Sequence, residues 1–273
     1  MSAAISPIHA LVLGVVEGLT EFLPVSSTGH LILTAQWLKL EGDAVKTFEV
    51  VIQTGAILAV LGLYRGRAAS MWRGLCGKDA DGRRLLRNLF VSFFPAAAVG
   101  LALHDAIKTR LFGVWPVVEA LAVGGVAMIA VDRWRHSVRA SSTRTLESLR
   151  AADALVIGLA QCLSLWPGTS RAMVTLVAGM LLGLPATLAA EYSFLLALPI
   201  LGAATALDAV KGGRALWQAA GPASIVCGLA SAAIVAALTI RAFVRYLASR
   251  GLAPFGWYRL ALAATVWLAM ARA

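Results

Sequence analysis

Residues 15–33 read VVEGLTEFLPVSSTGHLIL and place two carboxylates, an imidazole and a run of hydroxyls inside apolar sequence. Glu17 and Glu21 lie four residues apart, so on a helix they share one face, where their charges repel unless a cation or a proton lies between them. Pro24 predicts the end of that helix, and a polar turn follows it at residues 26–30. Ionisable groups in such surroundings are energetically costly, so this stretch predicts a functional site.

The composition indicates an integral membrane protein. Of the 273 residues, 59% are hydrophobic and 14% are charged, and the mean hydropathy is +0.79, whereas about 25% of the residues of a soluble domain are charged. The net charge is +10, but Lys and Arg cluster in short segments between apolar runs, as topology signals and contacts with anionic membrane lipids do. No nucleic-acid-binding module accompanies the charge, so nucleic acid is not expected as a partner.

The order of the apolar segments predicts an all-α polytopic membrane protein with two related halves, residues 1–150 and residues 151–273. Each half begins with two short apolar helices around a polar turn, a re-entrant hairpin that is tolerated in a membrane only where protein or water covers the turn. The predicted elements are a hairpin at 8–40 with spans at 48–64, 88–104 and 114–132, then a hairpin at 154–184 with spans at 187–208, 222–244 and 255–271.

Three spans follow each hairpin, so the second half enters the membrane from the opposite side and the repeat is inverted. The basic segments 65–87, 133–150 and 241–253 hold fifteen Lys or Arg, and this topology places all three on one side. By the positive-inside rule that side is cytoplasmic, and both termini face outward. The two hairpins are then expected to meet near the midplane, where inverted-repeat proteins commonly place their sites.

The two hairpins also align in sequence, LGVVEGLTEFLPVSST (13–28) with IGLAQCLSLWPGTSR (157–171), once a gap of one residue is allowed. The alignment pairs Gly14 with Gly158, Pro24 with Pro167, Ser27 with Ser170 and Thr28 with Arg171.

The turn of the second hairpin is suited to an anion. Arg171 is a permanent cation whose planar fork of donors matches phosphate oxygens. Gly168 allows close backbone approach, and a helix that begins at Ser170 and Arg171 directs its N-terminal amides at an anion. Thr169 adds a hydroxyl to the same turn.

The first hairpin supplies acidic and basic groups. Glu17 and Glu21 are hard oxygen ligands, which fit Mg²⁺ or Ca²⁺ and fit zinc poorly. His30 exchanges a proton near neutral pH. With the hydroxyls of Ser26, Ser27 and Thr28, these groups suit phosphoryl transfer, in which a metal and an arginine neutralise phosphate while a hydroxyl or water attacks.

Each feature also has a simpler explanation. Hydroxyls in membrane helices usually bond to their own backbone or to a neighbouring helix, and the two prolines need only end helices. The Glu17 and Glu21 pair is also explained by an arginine partner or by contact with water, and His30 by burial as a satisfied histidine. Arg171 is the hardest to explain in this way, because a cation inside an apolar stretch needs an anion.

At two motifs the sequence resembles the bacitracin-resistance type of undecaprenyl pyrophosphate phosphatase, an integral membrane enzyme of bacterial cell-wall lipid recycling. The glutamate-rich motif is matched by residues 17–30, EGLTEFLPVSSTGH. The second motif of that family, PGxSRSxxT, is matched by residues 167–175, PGTSRAMVT, with Ala172 in place of the usual serine.

The resemblance implies removal of the terminal phosphate from a C55 isoprenyl pyrophosphate with a divalent cation, at a site open to the outer face. It assigns the metal to Glu17 and Glu21, the pyrophosphate to Arg171, and the roles of nucleophile and base to Ser27 and His30. Attack by water, or by His30 itself, stays an alternative for the nucleophile. Further substrate contacts are implied for Ser26, Thr28, Gly168, Thr169 and Ser170.

A lipid-phosphate carrier is the competing hypothesis, because broken helices at the midplane of inverted repeats also occur in secondary transporters. The pair of carboxylates with His30 favours the enzyme, since uncompensated carboxylates hinder simple binding of an anion. A second copy of the chain, in a homodimer, is a further candidate partner.

Overall fold

The computed structural model describes residues 5–103, 109, 111, 114–137 and 144–271, without the side chains of 135–137 and 269. Most of the stretch between the predicted spans 88–104 and 114–132, and part of the basic segment 133–150, lie outside the described residues. Within them every regular element is a helix and none is a strand, so the prediction of an all-α protein is confirmed.

The α-helices of the described residues are α1 (Pro7–Thr20), α2 (Ser27–Trp37), α3 (Asp43–Leu63), α4 (Arg65–Leu75), α5 (Ala80–Ala102), α6 (Val114–Ser137), α7 (Ala151–Gln161), α8 (Arg171–Leu181), α9 (Ala186–Arg250) and α10 (Ala253–Ala271). Short 3₁₀ helices occupy Leu146–Ser148 and Cys162–Leu165.

Helix lengths agree with a polytopic membrane protein. Among the described residues, α3, α5, α6 over Val114–Trp134 and α9 are long and apolar enough to cross a membrane. The apolar helices α1 and α8 and the segment Ala151–Leu165 are shorter, and α1 contacts α2 as α7 contacts α8. The two helical hairpins are therefore present as predicted, while their re-entrance and the inversion of the repeat stay predictions.

The two hairpins have the same backbone course at a constant spacing of 144 positions. Ser27 and Arg171 begin α2 and α8, and Trp37 and Leu181 end them. The residues with positive φ recur at the same spacing, first Ser26 (73°) with Ser170 (70°) and then Lys39 (56°) with Gly183 (90°). This spacing supports a relation between the two hairpins.

The same spacing corrects the predicted alignment, which opened a gap to superimpose Pro24 on Pro167. Without the gap Ser26 corresponds to Ser170, and Ser27 corresponds to Arg171. The prolines differ by one position because either location in the turn ends the preceding helix.

Three segments predicted as loops are largely helical, and one of them is 241–253, where α9 continues to Arg250. The basic segment 65–87 contains α4 and the first turns of α5, which begins after Asp79 as its N-cap. Charge had suggested a loop there, but Arg, Leu, Met and Ala are good helix formers. Residues 209–220 continue α9 as a helix, which breaks at Gly221 (φ 65°, ψ 169°) because the following Pro222 disfavours helical geometry in the residue before it.

One compact unit comprises Met1–Leu23, Ser27–Ala68 and Ala197–Ala242, which carry α1 to α3 and the middle of α9. Gly14 and Gly18 let α1 approach α9 closely: a Cβ on Gly18 would lie 2.7 Å from the carbonyl oxygen of Ala232. Small residues permit such contacts between membrane helices. The core of this unit is formed by Ile5, Ala10, Leu13, Leu31, Ala35, Leu40, Val45, Phe48, Ile52 and Leu216.

The other compact unit comprises Pro24–Ser26, Ala69–Leu196 and Phe243–Ala273. Within it α5 packs on α7 and α6 packs on α10. A Cβ on Gly158 of α7 would lie 2.6 Å from the carbonyl oxygen of Ser92 on α5. Ser92 Oγ donates to the carbonyl of Ala154 (2.7 Å) and bonds the Tyr192 hydroxyl (2.8 Å), so polar groups as well as close packing join these helices.

Candidate active site

The first motif forms the end of α1, a turn and the start of α2. Glu21 caps α1, and its backbone N–H donates to the carbonyl of Glu17 (2.9 Å). The two carboxylates therefore lie one helical turn apart, and their residues are 0% and 7% exposed. Because a buried carboxylate is stable only with a positive partner, a proton or hydrogen-bond donors, this end of α1 is built for charge.

Ser27 and Glu21 are joined across the turn. Ser27 Oγ donates to Glu21 Oε2 (2.5 Å). A hydroxyl held by a carboxylate in this way has a base in contact to accept its proton. The family resemblance implies His30 as the base, and this contact makes Glu21 a second candidate for that role.

His30 and Thr28 lie on α2 with Ser27. His30 follows Ser27 by three residues, so both project from one face of the helix. His30 is half-buried and Thr28 is exposed.

The second motif forms a tight turn into α8. Gly168 has φ 95°, and a Cβ there would lie 2.8 Å from the carbonyl oxygen of Val117, so glycine is required by both conformation and space. Ser170 has φ 70° and caps α8, because its side chain accepts from the backbone N–H of Met173 (3.3 Å). A non-glycine residue in this region is strained, as is common at functional sites.

Arg171 is the first residue of α8, as the sequence predicted. Its Nη1 donates to the carbonyl of Ser193 on α9 (2.9 Å). Behind it Thr175 Oγ1 donates to the Arg171 carbonyl (2.9 Å) and bonds Ser193 Oγ (2.6 Å). Thr175 and Ser193 are fully buried, so the threonine of the second motif fixes the backbone that carries the arginine.

The predicted site residues are divided between the two compact units. Glu17, Glu21, Ser27, Thr28 and His30 belong to the unit with α1 to α3. The residues that belong to the other unit are Ser26, Gly168, Thr169, Ser170 and Arg171. The convergence of the two hairpins on one site stays a prediction.

An apolar recess of about 260 Å³ lies beside the second motif. Residues of α6, α7, the following 3₁₀ helix and α8 line it, among them Val123, Val177 and Leu181, and Trp166 lines it from the second turn. Thr169 of the motif also forms part of the wall. The recess suits a hydrocarbon chain whose polar end lies at the turn.

Sequence reasoning missed two residues next to the motifs. Ser193 gave no signal, because a serine within an apolar helix is common. Arg259 interrupts the last predicted span, and it is fully buried on α10, where it donates to the carbonyls of Pro24 (3.3 Å) and Gly168 (2.9 Å). A cation in an apolar helix was the available signal.

The fold and the two motif turns define a class: polytopic α-helical membrane proteins with paired helical hairpins whose turns carry acidic, hydroxyl and guanidinium groups. The model of one such family, described as bacitracin resistance protein BacA, matches residues 10–265. The chain belongs to this family, because the match covers nearly its whole length.

Three relatives agree with the family match. An undecaprenyl-diphosphatase of Sorangium cellulosum is 54% identical over 261 residues, which cover 95% of this chain and 85% of the relative. An undecaprenyl-diphosphatase of Nitrosomonas europaea is 42% identical over 261 residues, 96% of this chain and 93% of the relative. Undecaprenyl-diphosphatase 1 of Burkholderia lata is 44% identical over 263 residues, 95% of this chain and 94% of the relative.

Proposed function

We propose that this chain is an undecaprenyl-diphosphate phosphatase, a membrane hydrolase that removes the terminal phosphate of the isoprenyl pyrophosphate. The family and the names of the relatives support this activity, which serves cell-wall lipid recycling and bacitracin resistance. The observation that carries the proposal is the 2.5 Å bond from Ser27 to Glu21, because it pairs a nucleophile with a base inside the first motif.

In the proposed reaction Ser27 Oγ attacks the terminal phosphorus and Glu21 accepts the hydroxyl proton. The bond from that phosphorus to the bridging oxygen breaks, and undecaprenyl phosphate leaves. Water then attacks the phosphoserine, which releases inorganic phosphate and restores the Ser27 hydroxyl. His30, one turn further along α2, returns a proton to the leaving oxygen or removes one from the attacking water.

Arg171 is the proposed holder of the pyrophosphate. Its Nη1 bond to Ser193 fixes one corner of a guanidinium that has five N–H donors in a rigid fork. The N-terminal amides of α8 add partial positive charge beside it. Ser26, Thr28, Thr169 and Ser170 are proposed to supply further contacts with phosphate oxygens.

A divalent cation, Mg²⁺ or Ca²⁺, is also proposed, with Glu17 and Glu21 as its protein ligands. Among the described residues no cluster of three or more His, Cys, Asp or Glu that could hold a metal is found. Two buried carboxylates fit an ion that completes its shell with water and substrate phosphate, as Mg²⁺ commonly does. When bound, such an ion neutralises phosphate charge.

The apolar recess beside Thr169 is the proposed place for the first isoprene units of the substrate, since the adjoining residues of the turn hold its phosphates. Filling it with Val177→Trp is expected to raise KM for the C55 substrate several-fold and to leave kcat nearly unchanged. Val226→Trp, on a face of α9 where Val226 is 65% exposed, is the matched control. Equal KM values for the two variants would contradict this placement.

We further propose that the protein lies in the bacterial plasma membrane with its basic segments in the cytoplasm, its site open to the outer face and both termini outward. Cys76 is exposed within a basic segment. In a variant that keeps only this cysteine, a membrane-impermeant maleimide is expected to label inverted vesicles and to spare intact spheroplasts. Labelling of intact spheroplasts would contradict this orientation and place the basic segment on the outer face.

The activity itself is tested by phosphate release from undecaprenyl pyrophosphate by the purified protein, with and without chelator. The wild type is expected to release one phosphate per lipid, whereas Ser27→Ala is expected to lose at least about 10³-fold in rate and Arg171→Lys at least about 10²-fold. Ser249→Ala and Arg250→Lys alter exposed residues and serve as controls. Binding of the lipid without release by the wild type would refute the enzyme and favour the carrier hypothesis, which no observation on this chain supports so far.

A further inference from the structure

Arg259 forms an unusual set of contacts within the second compact unit. Its residue is 0% exposed, and within the part of the chain that the structure describes its guanidinium donates to backbone carbonyls only. Nε donates to Leu121 (3.2 Å), Nη1 to Pro24 (3.3 Å), and Nη2 to both Ala120 (2.8 Å) and Gly168 (2.9 Å).

These contacts join three segments that are distant in sequence. Ala120 and Leu121 belong to α6, Pro24 belongs to the turn of the first motif, and Gly168 belongs to the turn of the second. One side chain therefore links both motif turns to the same helix.

The fold is shaped to admit this guanidinium. A Cβ on Gly124 of α6 would lie 2.9 Å from Arg259 Cζ and still nearer to Nη2, so only glycine leaves room there. Burying a cation is energetically expensive, and a well-packed apolar side chain commonly gives equal or greater stability. Stability alone is therefore a poor reason for an arginine at this position.

We propose that Arg259 is a positioning residue of the phosphatase site: it fixes the Pro24 and Gly168 turns, and so the backbone from which Ser27 and Arg171 project. Ser27 follows Pro24 by three residues, and Arg171 follows Gly168 by three. Both turns contain a serine with positive φ, a strained conformation that needs surrounding contacts to persist. The inference rests on the proposed function, because positioning has meaning only if these residues act in the reaction.

Three variants test the role. Arg259→Met keeps much of the length and loses the charge, Arg259→Lys keeps the charge with a single nitrogen, and Gly124→Ala displaces the guanidinium without changing it. Expected kcat values fall by about 10²-fold or more, as for a small misplacement of reacting groups, with Arg259→Lys less affected than Arg259→Met. The controls are Arg250→Lys and Gly62→Ala, since a Cβ on Gly62 meets nothing within 4 Å.

Two readouts separate positioning from a purely structural role. Arg259→Lys is expected to add no further loss in a Ser27→Ala background, because the nucleophile that it positions is gone. Hydrogen exchange is expected to rise at residues 25–30 and 169–173 in Arg259→Lys and Gly124→Ala, and to stay unchanged in α3. The exchange measurement requires no catalysis, so it stands even if the wild type releases no phosphate, a result that would refute the proposed function instead.

The proposal would be overturned if hydrogen exchange at both turns were as slow in Arg259→Lys and Gly124→Ala as in the wild type. It would also be overturned if these variants kept the wild-type kcat per folded molecule. Failure of both Arg259→Lys and Gly124→Ala to fold would overturn it as well, since that result assigns Arg259 to the stability of the fold.

Discussion

The bond between Ser27 and Glu21 predicts that the two residues act as one catalytic unit. Glu21→Gln replaces the carboxylate with a neutral amide, and Ser27→Ala removes the hydroxyl. A hydrogen bond to a charged group contributes about 1.5–3 kcal/mol, which corresponds to roughly 10- to 150-fold, and a positioned general base contributes about 10²- to 10⁴-fold. Each single variant is therefore expected to lose at least about 10³-fold in kcat.

The double variant Ser27→Ala/Glu21→Gln shows whether the two residues act together in one catalytic step or contribute independently. Residues that act together are strongly non-additive, so the double variant is expected to be no slower than the slower single variant. The assay is phosphate release from undecaprenyl pyrophosphate in detergent micelles, with protein amount set by the monodisperse fraction. Glu41→Gln and Ser249→Ala change exposed residues and are the controls.

Losses that multiply in the double variant would refute the reasoning, because they would assign Glu21 a role independent of Ser27. A Ser27→Ala variant that keeps more than a tenth of the activity would refute it more directly.

Three predictions concern the fold. Ser170→Gly relieves the strain of a positive φ of 70° and is expected to unfold at a higher temperature than wild type. Ser170→Ala keeps that strain and loses the helix cap, so its free energy of unfolding is expected to fall by about 1 kcal/mol. The backbone N–H of Gly82 donates to Asp79 and holds the pKa of that carboxyl below its ordinary value of 3.8. The resulting stabilisation is complete above pH 3.8 and is lost as the pH falls through the lowered pKa. Asp79→Ala is therefore expected to lower Tm at about pH 7 and to unfold at the same temperature as wild type in strong acid. Gly158→Ala brings a Cβ to 2.6 Å from the Ser92 carbonyl and is expected to destabilise by about 1–3 kcal/mol.

Thermal unfolding of the purified variants in detergent checks all three. The account of the helix cap is wrong if Ser170→Ala and Ser170→Gly have the same unfolding temperature. The account of Asp79 is wrong if its difference from wild type is independent of pH, and that of the helix contact is wrong if Gly158→Ala unfolds with the wild type.

Much of the fold was predictable, because apolar length and proline position are local properties of the sequence. Pro24 and Pro167 located both hairpin turns, and α8 begins at Arg171 as predicted. The gap in the alignment was wrong, since proline position in a turn varies while the backbone course is kept. The prediction of a loop at the basic segment 65–87 was wrong, because charge indicates which side of the membrane a segment faces and not whether it is helical.

The site was only partly predictable, because residue types are local properties of the sequence and contacts between distant residues are not. The sequence identified Glu21, Ser27, His30 and Arg171 as candidates from residue type, and the family resemblance implied His30 as the base. The observed bond from Ser27 to Glu21 depends on how the intervening turn folds back, which residue type alone does not show. The contacts of Arg259 join residues up to 235 positions apart, and no local pattern predicts those.

The most direct test of the central claim is an acid-quenched single turnover with undecaprenyl pyrophosphate labelled in its terminal phosphate. The account predicts a transient phosphoenzyme with the label on Ser27, absent in Ser27→Ala and strongly reduced in Glu21→Gln. Label on His30, or full phosphate release by Ser27→Ala with no labelled protein, would contradict it.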